Sequence, residues 1–186
     1  MIIVGLGNSG AKYKHNRHNA GFMVLDSLAD KNNISFETKK IFQSEIIEKD
    51  KTIYAKPTTF MNLSGLAVQA LTKQYGNQLA VVYDDIDIPI GTVKCSFGRG
   101  SGDHNGLQSV IDHLGHKDFF RVRVGVRPVR EELISRIAPP DGFEKFLLSD
   151  FTPLEEQELK EGIEKAEKII SELSTKSFEE IMNKYN

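Results

Sequence analysis

Short, almost unbroken apolar runs alternate along this chain with stretches whose apolar residues recur at helical spacing. That alternation leaves few folds open, because strands buried on both faces need helices on both sides of a sheet. "IIVGL" opens the chain as such a strand. A helix is expected from near Asn19, with Phe22, Leu25, Leu28 and Ala29 on one face. "FQSEIIEK" and "KTIYAKP", divided at Asp50, read as a hairpin, so the sheet is mixed rather than all parallel. Ser64 is placed to cap a helix that buries Val68, Leu71 and Tyr75. "LAVVYDD" is the most hydrophobic run and is expected at the centre of the sheet, with "TVKCSF" and "FRVRVGV" as further strands. A helix after "GRGSGDHNG" turns Leu107, Val110, Ile111 and Leu114 inward.

The end of the chain reads as helix throughout. Thr152, Pro153 and Glu155 form a capping box with proline at the first helical position, and Leu159, Ile163, Ala166, Ile170 and Leu173 keep the period behind it. Ser177 and Glu180 repeat the box for a last short helix. "RIAPPDGF" reads as the flexible connection. The expectation is an α/β fold, a single domain over residues 1–186, with a mixed central β-sheet flanked by helices and a helical C-terminal end.

At 186 residues the chain suits one compact domain. Its one cysteine, Cys95, has no partner for an intramolecular disulfide, which fits a reducing cytoplasm, and within "VKCSF" it reads as a strand residue. No apolar run approaches the roughly 20 residues of a membrane helix, and the start has no signal-peptide pattern. The net charge of −2 conceals an asymmetry. Residues 1–130 carry 17 Lys+Arg against 12 Asp+Glu, and the remainder 7 against 14. A basic body can present a basic face to phosphates even when the whole chain is slightly acidic, although a solvated acidic helix accounts for the same imbalance.

Two nucleotide motifs come close and fail. Gly5, Gly7 and Gly10 match G-x-G-x-x-G, but a dinucleotide turn starts its helix at the third glycine, and here "AKYKHNRHNAG" delays any apolar helical face until Phe22. "LAVVYDD" resembles a magnesium-holding strand, yet no G-x-x-x-x-G-K-[ST] loop accompanies it. What remains is a set of side chains at strand ends and helix starts. Asn8 and Tyr13 flank the first turn, and His18 and Asn19 precede a helix. Phe60 and Asn62 follow a strand, Asp84 ends another, and Asn105 opens a helix. In an open α/β sheet such positions converge beyond the carboxyl ends of the strands.

Histidine with aspartate is the minimal general-base unit, and without a G-x-S-x-G elbow the nucleophile is water. Asparagines both donate to and accept from a peptide backbone, while Tyr13 and Phe60 offer faces for an unpaired base. Together they point to a substrate that is part peptide and part RNA. Each also has a plainer reading: His18 as a surface residue, Asn105 as a helix cap, Phe60 as core. A metal site of His15, His18, Asp84, Asp85 and Asp87 matches no ligand spacing, and no metal or other cofactor is expected.

"VGLGNSG", "RHNAG", "PTTFMNLSG", "YDDIDIPIG" and "GSGDHNGL", in this order, resemble the bacterial-type peptidyl-tRNA hydrolases, and the similarity runs on through "FFRVRVGV" and "GFEKFLLSDFTPLEEQEL". The resemblance implies a monomeric, metal-independent enzyme of the cytoplasm that cleaves the ester between peptide and tRNA. It implies His18 as the base, Asp84 as the group holding it, and Asn8 as the residue favouring blocked peptidyl over free aminoacyl substrates. Tyr13, Phe60, Asn62 and Asn105 would bind the tRNA 3′ end and the attached peptide. Amides of Asn62 or Asn8 are candidates for the oxyanion, and Lys94, Arg99, Arg121 and Arg123 for acceptor-stem phosphates, although Arg121 and Arg123 read equally well as supports of the sheet. The competing readings are a non-catalytic RNA-binding relative and a metal-dependent hydrolase. Three departures stand out. Ser9 replaces the family's usual proline, which leaves Asn8 less rigidly placed. Asp103 replaces a glycine before His104, where its carboxylate would repel phosphate or shift the histidine. "GVRPVR" differs from the usual glycine-rich turn.

Overall fold

The computed structural model describes residues 1–128 and 142–186. The end of "GVRPVR" and the first six residues of "RIAPPDGF" lie outside the described residues. Among those described, the strands are β1 (Ile2–Gly5), β2 (Glu37–Lys39), β3 (Ser44–Lys49), β4 (Thr52–Pro57), β5 (Leu79–Pro89), β6 (Val93–Phe97) and β7 (Phe120–Arg127). They form one sheet in the order β2-β3-β4-β1-β5-β7-β6. β4, β1, β5 and β7 are parallel, while β2, β3 and β6 run antiparallel to their neighbours, so the sheet is mixed as the β3–β4 hairpin required. The most hydrophobic run is an interior strand, but β1 rather than β5 holds the middle place.

The helices are α1 (Ala20–Lys31), α2 (Ser64–Tyr75), α3 (Asn105–Leu114), α4 (Phe143–Leu147), α5 (Pro153–Glu172) and α6 (Phe178–Tyr185). Strand alternation sorts them into two layers. Ile3, Ala80, Val82 and Val122 pack with Val24 and Leu25 of α1, Leu159 and Ile170 of α5 and Ile181 of α6. Ile2, Val4, Val81 and Tyr83 pack with Val68 and Leu71 of α2 and with Leu107 and Val110 of α3. Both expected capping boxes are present, at Thr152/Glu155 and Ser177/Glu180.

The glycines of the opening motif serve packing. A Cβ on Gly5 would lie 2.5 Å from the carbonyl oxygen of Gly21, and one on Gly21 would collide with the carbonyl of Val82. The pair lets α1 lie directly against β1 and β5. Two short 3₁₀ turns, Ala11–Tyr13 and Arg17–Asn19, occupy the space where a dinucleotide fold would already have its helix. Two caps differ from expectation. Ser64 is the first residue of α2, and its hydroxyl donates back to Met61 O at 2.8 Å instead of capping. α3 is capped by His104, whose Nδ1 accepts from Leu107 N at 3.1 Å, so Asn105 is not the cap.

Candidate active site

β1 pairs with β5 only as far as Val82, so the next residues of β5 project past the end of β1. Asp84 stands there, 2% exposed. The chain leaving β1 reaches Asn8 three residues on, the chain leaving β4 reaches Phe60 and Asn62, and the starts of α1 and α3 bring His18 and His104. A cleft of ≈ 540 Å³ results, lined by Asn8, Tyr13, His18, Phe60, Asn62 and Asn105, with Phe143, Glu144, Leu147 and Leu148 of the α4 region as its opposite wall. Asp84 lines an adjoining pocket of ≈ 240 Å³ that shares Asp103 and His104 with it. Six of the eight strand-end and helix-start residues read from the sequence therefore line one cleft, Asp84 lies against it, and Asn19 lines the groove on the other side of Asn8. This larger groove of ≈ 640 Å³ beside α1 shares Asn8 but holds no histidine.

His18 Nδ1 lies 2.9 Å and 3.0 Å from the two oxygens of Asp84. A carboxylate only accepts, so Nδ1 carries the proton and Nε2 keeps its lone pair. His104 Nε2 lies 3.1 Å from the same Asp84 Oδ1. Because Leu107 N–H donates to His104 Nδ1, the proton of His104 must sit on Nε2, and Asp84 accepts from both histidines. Burial pushes His18 down, but the Asp84 carboxylate outweighs it by charge and hydrogen bond. Glu144 adds a smaller contribution, and the group ends above its ordinary value of 6.5. Asp84 is pushed up by its own burial, yet His18 and His104 together hold it well below the usual carboxylate range.

Asn8 is held at three points. Its Oδ1 accepts from Met61 N at 2.9 Å, its N–H donates to Asn19 Oδ1 at 2.8 Å, and its carbonyl accepts from Asn19 Nδ2 at 3.0 Å. The side chain of Asn19 thus does the fixing that a proline at position 9 would do, and the expectation of a loosened Asn8 is overturned. Met61 N fixes the oxygen of Asn8, which orients its Nδ2 donor. Phe60 is 61% exposed, so the core reading of this ring fails; Asn62 and Asn105 are exposed as well. Asp103 adopts φ 61°, a left-handed backbone that glycine takes without strain, and it leaves His104 bonded to Asp84 and Leu107.

The four basic candidates divide. Lys94 and Arg99 are exposed, outside the lining of the cleft. Arg121 is buried, and its guanidinium holds the carbonyls of Arg99 and Gly100. Arg123 pairs with Asp85 through Nε at 2.8 Å and Nη2 at 2.7 Å. Arg121 and Arg123 therefore have partners in the loop after β6 and in the sheet, in line with the supporting role. The metal reading also loses its members: His15 faces Glu156 at the surface, and Asp85 is taken by Arg123. Among the described residues the one metal-capable cluster is His18, Asp84 and His104, whose ligand atoms lie within 4.8 Å of one another. Their direct hydrogen bonds already account for that closeness.

Sequence reasoning passed over His104 and Met61 as working parts of the site, and it placed Asn19 beside His18 without its hold on Asn8. The signal for His104 was its place one residue before a helix, three residues from the amide it caps.

Comparison with known proteins places the chain in one family. The family model described as peptidyl-tRNA hydrolase matches residues 2–186. A peptidyl-tRNA hydrolase of Aliarcobacter butzleri is 38% identical over 187 residues, covering 99% of this chain and 97% of the relative. One of Bacillus subtilis is 36% identical over 193 residues, covering 100% and 98%. The crystal structure of peptidyl-tRNA hydrolase from Acinetobacter baumannii superposes with a TM-score of 0.84 at 28% identity, covering 100% of this chain and 93% of that one. Matched over nearly its whole length by the family model and by relatives of this identity, the chain belongs to the peptidyl-tRNA hydrolase family.

Proposed function

We propose that His18 is the general base of this peptidyl-tRNA hydrolase and that Asp84 orients it. The observation that carries the reading is the pairing of His18 Nδ1 with both oxygens of Asp84, which leaves Nε2 as the one basic nitrogen of that ring. Nε2 takes a proton from water, and the water oxygen attacks the ester carbonyl that joins peptide to tRNA. Asp84 stabilises the imidazolium that forms. The imidazolium returns its proton to the departing 3′ oxygen of the tRNA, so the histidine ends as it began. The amide of Asn62 or Asn8 donates to the developing oxyanion. Asn8, with its oxygen held by Met61 N and its Nδ2 donor available, also suits the acyl carbonyl that a blocked substrate has and free aminoacyl-tRNA lacks.

Tyr13 and Phe60 offer aromatic faces to the unpaired 3′ bases, and Asn105 offers an amide to the peptide. Lys94 and Arg99 remain for the phosphates of the acceptor stem. Activity should then fall with added salt, and Lys94→Ala and Arg99→Ala should each flatten that dependence by about one counterion. We infer further that the enzyme works as a cytoplasmic monomer. The lone Cys95, which has no partner for an intramolecular disulfide, supports the compartment.

The test compares hydrolysis of N-acetyl-aminoacyl-tRNA and free aminoacyl-tRNA by wild type and His18→Ala, with EDTA present. Cleavage of the blocked substrate alone, abolished in the variant, is the expected result. Full activity in His18→Ala would remove His18 from the mechanism.

A further inference from the structure

The residue next to the proposed base is as buried as the base itself, and it faces the other way. Arg17 is 5% exposed, and its guanidinium reaches residues more than 130 positions later in the chain. Nη1 donates to Ser149 Oγ at 2.7 Å and to Asp150 O at 2.9 Å. Nη2 donates to the two carboxylate oxygens of Glu155 at 2.8 Å and 2.6 Å. The plane of the group sits 4.3 Å from the centre of the Phe146 ring in α4. The backbone repeats the connection: Arg17 N donates to Ser149 O, Phe151 N donates to His15 O, and Asn16 bridges Asp150.

Residues 15–17 thus form a two-sided clasp on the segment that joins α4 to α5. One end of the clasp runs directly into His18. The other runs back through Ser149, whose hydroxyl donates to Phe146 O at 2.7 Å, into α4. α4 and its flanks supply Phe143, Glu144, Leu147 and Leu148, a wall of the same cleft that His18 lines. Phe143 and Leu148 are 48% and 38% exposed, apolar side chains without full cover that confront exposed Phe60 over the same opening. A helix of five residues does not hold itself in place. A planar fork that fixes two carbonyl-bearing residues, one carboxylate and one ring together does.

We propose that Arg17 is a positioning residue for hydrolysis: by clasping Ser149, Asp150 and Glu155 it holds the α4 wall at a fixed distance from His18, so that the wall grips the substrate. This inference rests on the functional reading above. It places in the clasp a determinant of substrate affinity that touches neither substrate nor the reacting atoms. It also explains why Arg17 is buried and paired where a surface arginine would answer the general need for charge near RNA.

The test uses Arg17→Lys, which keeps the charge but loses the fork, and Glu155→Gln, which weakens the clasp from the other side. Leu71→Ala, in the core of the opposite layer, serves as a control of general destabilisation. Steady-state hydrolysis of N-acetyl-aminoacyl-tRNA is measured against pH well below each melting temperature, with amide hydrogen exchange over 143–148. Both clasp variants should raise KM roughly tenfold, the size of losing a well-placed apolar contact, with a smaller change in kcat. The acid limb of the pH profile should move to lower pH as Glu144 withdraws from His18, and exchange in α4 should quicken. Leu71→Ala should lose stability with none of these changes. If the clasp variants behave like Leu71→Ala, the inference is overturned while the functional reading stands. An inactive wild type overturns the functional reading, and this inference with it.

Discussion

Replacing Asp84 by asparagine should silence the enzyme through a proton on the wrong nitrogen, and the geometry says which way the amide must turn. Asp84 Oδ1 receives His104 Nε2 at 3.1 Å and His18 Nδ1 at 2.9 Å, while Oδ2 receives His18 Nδ1 at 3.0 Å. In Asp84→Asn the oxygen has to stay toward His104, because Leu107 N–H keeps the proton of that ring on Nε2. The amide nitrogen then occupies the Oδ2 place and donates to His18 Nδ1, which drives the His18 proton to Nε2. The base is then blocked, and the imidazolium has lost its counter-charge. General-base catalysis contributes about 10²–10⁴-fold, so kcat should fall by about that factor, equivalent to about 3–5 kcal/mol of barrier, with little change in KM. The assay is steady-state hydrolysis of N-acetyl-aminoacyl-tRNA across pH. A second variant isolates the tautomer argument: in Asp84→Asn/His104→Ala nothing pins the amide, which can present its oxygen to His18 Nδ1 and recover part of the rate. A double variant no faster than Asp84→Asn refutes the argument. Asp84→Asn within threefold of wild type would remove the His18–Asp84 pair from the mechanism altogether.

Three further outcomes follow from the same contacts. Asn8→Asp keeps the acceptor used by Met61 N but turns the free donor into a second acceptor, so the ratio of blocked to free aminoacyl-tRNA cleavage should drop at least tenfold with the melting temperature nearly unchanged; an unchanged ratio in kinetic assays would take discrimination away from Asn8. His18 stands above 6.5 in the fold, so its stabilising contribution is full below that pH and is lost as pH rises through the higher folded value, while the neutral base needed for activity appears over the same interval. The melting-temperature advantage of wild type over His18→Gln should therefore shrink as hydrolysis accelerates from pH 6 upward, and a constant advantage would contradict the Asp84 pairing. Exhaustive chelation should leave the rate of wild type unaltered, whereas loss of activity restored by zinc or manganese would reassign His18, Asp84 and His104 as ligands.

The layered α/β fold and its mixed sheet were legible because burial writes itself into periodicity: β5 opens on the apolar run Leu79–Val82, α5 repeats its apolar face over five turns, and the two capping boxes are local patterns. Local reasoning failed where a polar side chain had two places to go. Ser64 resembles a cap from its neighbours, yet the 3₁₀ turn at Met61–Leu63 supplies a carbonyl that its hydroxyl reaches first. The turn at Ser9 shows the same limit. From the sequence the missing proline removes a constraint on Asn8; in the fold Asn19, eleven residues away, supplies a stronger one by binding both backbone groups of Asn8.

The arginines extend this to charge. Arg121 and Arg123 alternate with Val122 and Val124 in β7, a spacing that says only that they share a face of the sheet. Which partner each meets depends on β5 and on the loop after β6, and there one finds Asp85 and the other two backbone carbonyls. Counting basic residues therefore overstated what the protein has to offer phosphate. Arg17 carries the same lesson further, since its neighbour in sequence is the proposed base and its partners lie more than 130 residues on. The sequence can show that a residue has a charge to satisfy; only the packing of distant segments decides whether that charge is spent on the fold or left for the substrate.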